Sequence, residues 1–153
     1  MTNTEKAKEI IEKVPYASVA TVSAEGEPWC APVFVAYDGQ YNFYWGTAIN
    51  SQKAKNIKHN QNVFLVIYDS TVPAGEGKGV YIKAIAEELN DPLEVELAHK
   101  LLWDRHVVPY WKLDQVQGDK PIRLYKATPQ KVWINGEGSE NGHYIDTRIE
   151  ISL

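Results

Sequence analysis

The chain begins with a helical pattern of hydrophobic residues that ends at Pro15. Thr2 and Glu5 have the spacing of a capping box, and the apolar residues that follow recur at helical intervals, at Ala7, Ile10, Ile11 and Val14. This pattern predicts a short amphipathic helix. From Tyr16 onward β-branched and aromatic residues dominate, which favours strands.

Breaks in the pattern divide the next part of the chain into strands. Turns are predicted at residues 25–26 and 38–39, and a mobile loop is predicted over residues 70–79, where Pro73 and three glycines interrupt any regular element. The β-branched and aromatic runs between these breaks predict five strands, at residues 18–22, 33–37, 41–45, 62–68 and 80–89.

Two further helices and a last group of strands complete the pattern. A short helix capped by Asn50 or Ser51 is predicted to end near residue 60, and a longer one is predicted over residues 92–106. Strand-like patterns follow at residues 124–125, 131–134 and 145–151. The sequence therefore predicts a single α+β domain over residues 1–153. It is mainly β, with six to seven antiparallel strands in a small barrel and two or three appended helices.

Composition and charge narrow the class of protein. The 153 residues are 44% apolar and 24% charged, which fits one globular domain. The net charge of -4 argues against nucleic acid as a partner. No apolar stretch approaches the roughly 20 residues of a membrane helix. A single cysteine and a polar N-terminus without the apolar core of a signal peptide predict a cytoplasmic location.

The residues that usually carry metal or nucleophilic chemistry are not grouped in this sequence. The four histidines have no cysteine or carboxylate at ligand spacing, so no metal site is predicted. His99 and His106 share one face of a predicted helix and are expected to be solvated. Cys30 lies in a predicted strand, where we expect a small thiol that packs in the core. No catalytic side chain is identified.

The segment from Trp45 to Lys53 joins a strand to a helix through small and polar residues. Free backbone amides gather at such a helix start, and Ser51 and Gln52 add side-chain donors. Lys53 places a cation in the first turn, where the helix dipole disfavours it by about 0.3–1 kcal/mol. Either an anion binds here and reverses that effect, or Lys53 bends into solvent like the other lysines of this helix.

The chain carries five tryptophans but only three phenylalanines. Tryptophans close a core, cover a subunit interface or form flat walls for a planar ligand. The composition favours a core or a dimer interface over a ligand wall.

A series of short motifs covers residues 16–89 in a fixed order. In chain order they are Ala20-Thr-Val, Gly26, Pro28, Pro32-Val-Phe-Val, Phe43-Tyr44, Ser51-Gln-Lys-Ala-Lys-Asn-Ile57, Asn60, the run 63–67, Val80-Tyr-Ile and Ala86-Glu. Their order and spacing resemble the pyridoxamine 5'-phosphate oxidase-like flavin-binding family. The resemblance implies a split β-barrel that pairs as a homodimer and holds flavin mononucleotide (FMN) in clefts between the subunits.

The resemblance also implies which residues contact the cofactor. Contacts to the flavin ring fall on the second strand, at the end of the third strand, at the start of the fifth strand and, from the other subunit, on a late strand. The phosphate falls at the start of the second helix, where the anion site is predicted. The implied cofactor-binding residues are Pro32, Val33, Tyr44, Trp45, Thr47, Ser51, Gln52, Lys53, Gly79 and Trp133.

Two departures from the family pattern bear on function. No Lys or Arg occurs between Glu27 and Asp38, where the true oxidases carry basic residues, so Lys53 is left to neutralise the phosphate nearly alone. The Arg-x-His motif that grips the vitamin B6 substrate is missing near the C-terminus, so the classical substrate is not expected. The leading prediction is an FMN-dependent oxidoreductase acting on a small molecule. The alternatives are the deazaflavin coenzyme F420 in the same cleft, and a non-catalytic binding or stress-response module.

Overall fold

The computed structural model describes residues 1–153 and contains three α-helices and eight strands. The helices are α1 (Asn3–Lys13), α2 (Gln52–His59) and α3 (Pro92–Arg105), and a 3-10 turn covers Leu113–Val116. None of the helices has the length and apolarity that a membrane span requires. The strands are β1 (Tyr16–Val22), β2 (Pro28–Phe34), β3 (Ala36–Tyr37), β4 (Phe43–Ala48), β5 (Asn62–Tyr68), β6 (Gly79–Glu88), β7 (Ile122–Glu140) and β8 (His143–Ile151).

The chain segment that contains β2 and β3 pairs first with β1 and then with β4, and thereby closes the sheet into a barrel. The hydrogen-bonded order is β2-β1-β5-β6-β7-β4-β3, with β8 paired to β7. β2 and β3 end this order on opposite sides, yet only Val35 separates them in the sequence. Phe34 pairs with Tyr16 of β1, whereas Ala36 pairs with Tyr44 of β4. The barrel is therefore closed at β3 and open where β2 has left β4, and we call this opening the split.

Two hydrophobic cores hold the helices in place. The larger one fills the barrel with inward-facing side chains such as Phe43 and Trp45, and Ile11 of α1 packs into it. The smaller one lies outside the barrel wall, where α3 covers Tyr44 and Leu124. Because successive residues of β4 point to opposite faces, α3 and the chain that follows it lie on the outer face of this strand.

Arg105 at the end of α3 fastens this helix to α1. Its Nη2 atom donates to the carbonyl of Ile11 at 2.7 Å and lies 3.3 Å from that of Glu12 and 3.2 Å from that of Val14. The guanidinium also lies 5.0 Å from the ring centroid of Tyr37. Carbonyl groups at the end of α1, which lack N–H donors within their own helix, thus accept hydrogen bonds from a side chain of another helix.

The expected fold class, an α+β antiparallel split barrel, is confirmed, and the details differ in two places. β7 is one strand of 19 residues where the pattern predicted two short ones. Its pairing shifts at Lys83 and Ala84 of β6, and this bulge interrupts the alternation that marks a continuous strand. The strand predicted at residues 33–37 is divided at Val35 between β2, which begins earlier at Pro28, and β3, and the sheet has eight strands in place of six or seven.

The expectation that Cys30 packs in the core is wrong, because its side chain is exposed. Val33 of the same strand is buried. Since side chains alternate along a strand, residues an odd number of positions from Val33 face outward. Cys30 therefore lies on the outer face of the sheet.

Candidate functional site

A cleft of about 430 Å³ opens at the split of the barrel. Its walls come from the end of β2, from β4 at Gly46, from the first turn of α2 and from the connection after α3. Three of the predicted cofactor-binding residues line it, namely Pro32, Val33 and Lys53. A larger groove of about 750 Å³ runs along the outer side of α3, but none of the predicted residues lines that groove. The cleft at the split is therefore the candidate site.

Gly46 contributes a backbone donor to this cleft. Opposite it on β7, Leu124 directs its carbonyl toward the end of β6, where it accepts from the N–H of Leu89 at 2.8 Å. In an antiparallel ladder two facing residues direct their backbone groups either both inward or both outward, so the Gly46 N–H points away from β7. The strand expected on that side is β2, which has left to join β1. The hydroxyl of Tyr110 lies against Gly46 instead, so close that a Cβ atom at position 46 would overlap it.

Lys53 is a half-buried cation without a counter-charge. It lies in the first turn of α2, which contains no acidic residue, and no ion pair of the chain includes it. Burial lowers the pKa of its ammonium group. The backbone amides of Gln52 and Lys53 open the helix and have no acceptor within it. A bound anion would stabilise both the buried cation and these free amides.

Side-chain hydrogen bonds hold the start of α2 in place. Ser51 is the N-cap and accepts from the N–H of Ala54 at 3.2 Å, and its oxygen lies 3.2 Å from that of Thr47. Gln52 donates to Asn56 at 2.8 Å, and the buried Asn56 donates to a hydroxyl of β1 at 2.9 Å. The side chains of Thr47, Ser51 and Gln52 are thus bonded within the protein and position the free amides of the helix.

An aromatic cluster forms the outer side of the cleft. The ring of His106 lies 3.8 Å from that of Phe34 and 4.7 Å from that of Tyr110. The rings of Tyr110 and Trp111 are 5.0 Å apart, and Nε2 of His99 lies 2.6 Å from the carbonyl oxygen of Trp111. Burial lowers the pKa of His106 and raises the pKa of the Tyr110 phenol.

The expectation that His106 is a solvated helix residue is wrong. α3 ends at Arg105, and His106 is the C-cap, in an extended conformation that turns its ring toward β2. Tyr110 and Trp111 were not among the predicted site residues. The sequence contains a Pro-Tyr-Trp run directly after a helix, but this pattern does not predict which part of the barrel the two aromatic residues contact. No group of three His, Cys, Asp or Glu side chains is arranged to hold a metal ion.

Seven of the ten predicted residues do not line the cleft: Thr47, Ser51 and Gln52, which hold the start of α2, and four others. Tyr44 and Trp45 are buried, Tyr44 donating its hydroxyl to Asp38 at 3.0 Å and Trp45 stacking on Tyr125 at 5.9 Å. The indole N–H of Trp45 has no hydrogen-bond partner. Gly79 and Trp133 lie on β6 and β7, outside the cleft.

The outer side of five strands carries an aromatic patch, which is bordered by the exposed Lys83 and Lys131. Trp133 stacks on Phe64 at 6.2 Å, and the guanidinium of Arg148 lies 3.9 Å from the ring centroid of Tyr81. The Gly79 N–H donates to the side chain of Asn135 at 2.6 Å. The strand register places on this surface, which we call the outer sheet face, the exposed or half-buried residues Cys30, Pro32, Phe64, Val66, Tyr68, Tyr81 and Trp133.

Comparison with known proteins identifies the family. The chain matches the family model for pyridoxamine 5'-phosphate oxidase over residues 3–136. It has no match among curated protein sequences. The fold resembles that of an F420 reductase, with 23% identity, 82% of this chain and 94% of that chain covered, and a TM-score of 0.62. It also resembles HutZ, the heme storage protein of Vibrio cholerae, with 16% identity, 86% and 94% covered, and a TM-score of 0.65.

A third similar structure is the conserved hypothetical protein Rv2991 of Mycobacterium tuberculosis. Its identity is 20%, its TM-score is 0.70, and the alignment covers 86% of this chain and 82% of that one. At such identities the likeness shows the shared fold. The family match itself extends from α1 into the C-terminal half of β7 and includes every residue that lines the cleft. The chain therefore belongs to the pyridoxamine 5'-phosphate oxidase family.

Proposed function

We propose that the cleft at the split binds FMN, with its phosphate at the start of α2. The observation that carries the proposal is Lys53, a half-buried cation with no counter-charge in a turn where the helix dipole disfavours a cation. The free N–H groups of Gln52 and Lys53 are donors of the kind that hold phosphates at helix starts. Ser51 keeps that helix start in place.

The residues of the cleft fit a planar cofactor with one phosphate. The β2 residues Pro32 and Val33 supply one apolar wall, and Tyr110 and Trp111 supply aromatic surface on the outer side. β2 carries no Lys or Arg, so the phosphate charge falls on Lys53 and the backbone amides. When bound, the flavin ring supplies the redox chemistry, while the chain binds it, orients it and limits its contact with water.

The activity that we propose is electron transfer between a reduced nicotinamide or similar donor and a small acceptor, in the cytoplasm. Family membership and the F420 reductase among the similar structures support redox chemistry on a flavin-like ring. No side chain in the cleft has to act as an acid or a base in such a transfer. Vitamin B6 phosphates are not the proposed substrate, because the tail from Gly136 to Tyr144 lacks an Arg-x-His pair.

We further propose that two copies of the chain pair through the outer sheet face. Phe64, Tyr81 and Trp133 give this face a contiguous aromatic centre, and aromatic residues are enriched at the buried centres of interfaces. Pairing would also bring Gly79 and Trp133 of one subunit toward a cleft of the other. It would thereby account for two predicted residues that a single protomer leaves outside the cleft.

The absorption spectrum of the purified protein tests which cofactor is present. FMN and the deazaflavin F420 absorb at different wavelengths, and mass spectrometry of the heat-released compound identifies either one. If the protein contains neither compound and does not bind added FMN, the hypothesis of a non-catalytic module is favoured.

Substitution of Lys53 tests the phosphate site. If its ammonium makes a charge-assisted bond, Lys53→Ala should weaken FMN binding by about 1.5–3 kcal/mol, roughly 10- to 150-fold. Riboflavin, which lacks the phosphate, should bind both proteins alike. Lys55→Ala is the matched control, because Lys55 lies on the exposed side of the same helix. Equal FMN affinities for Lys53→Ala and the parent in fluorescence titrations would show that Lys53 is merely solvated.

A further inference from the structure

The cleft opens to solvent between exposed apolar side chains. In the connection after α3, Val107 is fully exposed and Val108 is 65% exposed, and they precede Pro109, which lines the cleft. Tyr16 of β1 and Trp111 also line the cleft and are 54% and 37% exposed. Apolar side chains that are exposed together mark surfaces that bind another molecule. We call these five residues the mouth: Tyr16, Val107, Val108, Pro109 and Trp111.

The fold does not use the two valines of the mouth. Neither of them belongs to the two hydrophobic cores or packs against them. Residues 107–111 lie outside the helices and strands, and none of their backbone N–H groups donates to another backbone group. Covering an exposed valine with an apolar molecule removes it from water, which is favourable. Both valines are therefore available to a ligand.

The cleft behind the mouth contains few charged groups. Apart from tyrosines, only Lys53 and His106 among the residues that line it have ionisable side chains. Lys53 is the cation to which the proposed function assigns the phosphate. Burial lowers the pKa of His106, so this side chain is neutral at pH 7. A negatively charged group at the mouth would therefore lose its water without gaining a cation.

The charged residues around the mouth are directed elsewhere. Arg105 at the end of α3 donates to a carbonyl of α1, and Lys112 lines the groove on the outer side of α3. On the side of β1, Lys13 and Asp69 form an ion pair with each other at 2.9 Å. None of these four residues lines the cleft. A charged ligand at the mouth would thus meet no counter-charge from them.

Aromatic rings line the cleft next to the mouth. The rings of Phe34 and His106 lie 3.8 Å apart, and that of Tyr110 lies 4.7 Å from His106. A Cβ atom at Gly46 would lie 2.6 Å from Cζ3 of Trp111, so the Trp111 ring lies against β4 only because residue 46 is glycine. Aromatic rings pack well against the flat face or the edge of another ring. These side chains therefore favour a ring compound as the ligand.

We propose, on the basis of the function proposed above, that the small acceptor binds at the mouth and is an uncharged, apolar ring compound. Its ring lies against the two valines and Tyr16, with the aromatic side chains of the cleft beside it. The mouth selects by excluding charge, because an acceptor with a carboxylate or a phosphate loses its hydration there and finds no cation in exchange.

Two probes that differ by one charged group test this selection. N-phenyl-1-naphthylamine is uncharged and apolar, and 1-anilinonaphthalene-8-sulfonate is the same ring system with a sulfonate group. We measure the affinity of both for the FMN-loaded protein by equilibrium dialysis. The uncharged probe should bind at least about tenfold more tightly, because the sulfonate would have to give up water without a counter-charge.

Val107→Asp tests the position of the site, because it removes an apolar contact and places a carboxylate at the mouth. If the uncharged probe covers about half of the valine side chain, its affinity should fall by about 3- to 12-fold, while the affinity for FMN should equal that of the parent. Val72→Asp is the matched control, since Val72 is an exposed valine between β5 and β6 outside the cleft. It should bind both probes as the parent does.

The outcomes separate this site from the function on which it rests. Equal affinities of Val107→Asp and Val72→Asp for the uncharged probe overturn the site, and so does a sulfonate that binds as tightly as the uncharged probe. A light-scattering mass that is halved in Val107→Asp alone also overturns it, because the valines would then form a subunit contact. If FMN does not bind, the proposed function fails. The mouth then stands as a binding site only if the FMN-free protein loses affinity for the uncharged probe in Val107→Asp and not in Val72→Asp.

Discussion

The contact between α1 and α3 depends on one side chain, and we expect Arg105→Ala to destabilise the fold strongly. The Arg105 guanidinium bonds to carbonyls at the end of α1, the shortest contact being 2.7 Å to Ile11. Hydrogen bonds to charged groups contribute about 1.5–3 kcal/mol, and a cation over an aromatic ring such as Tyr37 adds about 0.5–1 kcal/mol. These terms overlap, so we expect a loss of about 3 kcal/mol. That is a large share of the roughly 5–15 kcal/mol that holds a domain together.

Urea denaturation followed by circular dichroism measures this loss. With a slope of about 1–3 kcal/mol per molar urea, the midpoint of unfolding should fall by roughly 1–3 M. Lys100→Ala is the matched control on the same helix, because Lys100 makes an exposed ion pair with Asp104 that contributes at most about 1 kcal/mol. Arg105→Lys, which keeps the charge and loses the planar group over Tyr37, should lie between the two. A change no larger than that of the control would refute the role of Arg105 as the fastener of α1.

Three further predictions concern pH, assembly and substrate. Burial lowers the pKa of His106 below its ordinary 6.5, so the unfolded chain binds more protons than the folded chain at mildly acidic pH. The free energy of unfolding should therefore fall as the pH drops below about 6.5. In thermal melts at several pH values, His106→Phe should reduce this dependence of stability on pH. Trp133→Glu should give a light-scattering mass of 17.3 kDa and faster thiol labelling of Cys30, whereas the parent should give twice that mass; the same mass for both proteins would contradict pairing through the outer sheet face. The FMN-loaded parent should form little pyridoxal phosphate, and a turnover of about 1–1,000 per second would contradict that expectation.

Local patterns were sufficient for the fold, because each helix and most strands are specified by residues close together in the sequence. The capping box at Thr2 and the N-cap at Ser51 are local in this sense, and both form as the sequence predicts. The bulge that shifts the pairing of β7 depends on its neighbour β6, so no pattern within β7 could reveal it. Cys30 could have been assigned to the outer face from the alternation with Val33, if the start of β2 had been recognised.

Only some residues of the candidate site could be predicted from local sequence patterns. Lys53 could be found because an unfavourable charge at a helix start is visible in the sequence. Tyr110 could not, because its position depends on the space beside Gly46 that opens when β2 changes partners. Alternation along β4 likewise puts Tyr44 on the same outer face as Gly46, but α3 covers Tyr44, whereas Tyr110 and Trp111 cover Gly46. That division is set by tertiary packing and has no local signature.

The closure of the barrel through β3 has a consequence for the order of folding. The pairs β1–β2, β5–β6 and β7–β8 join strands that are consecutive in the chain, whereas β4 pairs with β7, so that Phe43 lies opposite Ala127. Closing so long a loop costs more chain entropy than forming a hairpin, and distant pairings slow folding. We therefore expect the β4–β7 pairing to form late, and the split, with the cleft it contains, to appear only then. A ligand in the cleft would then act on the lifetime of the folded state by slowing unfolding, while the rate of folding would change little.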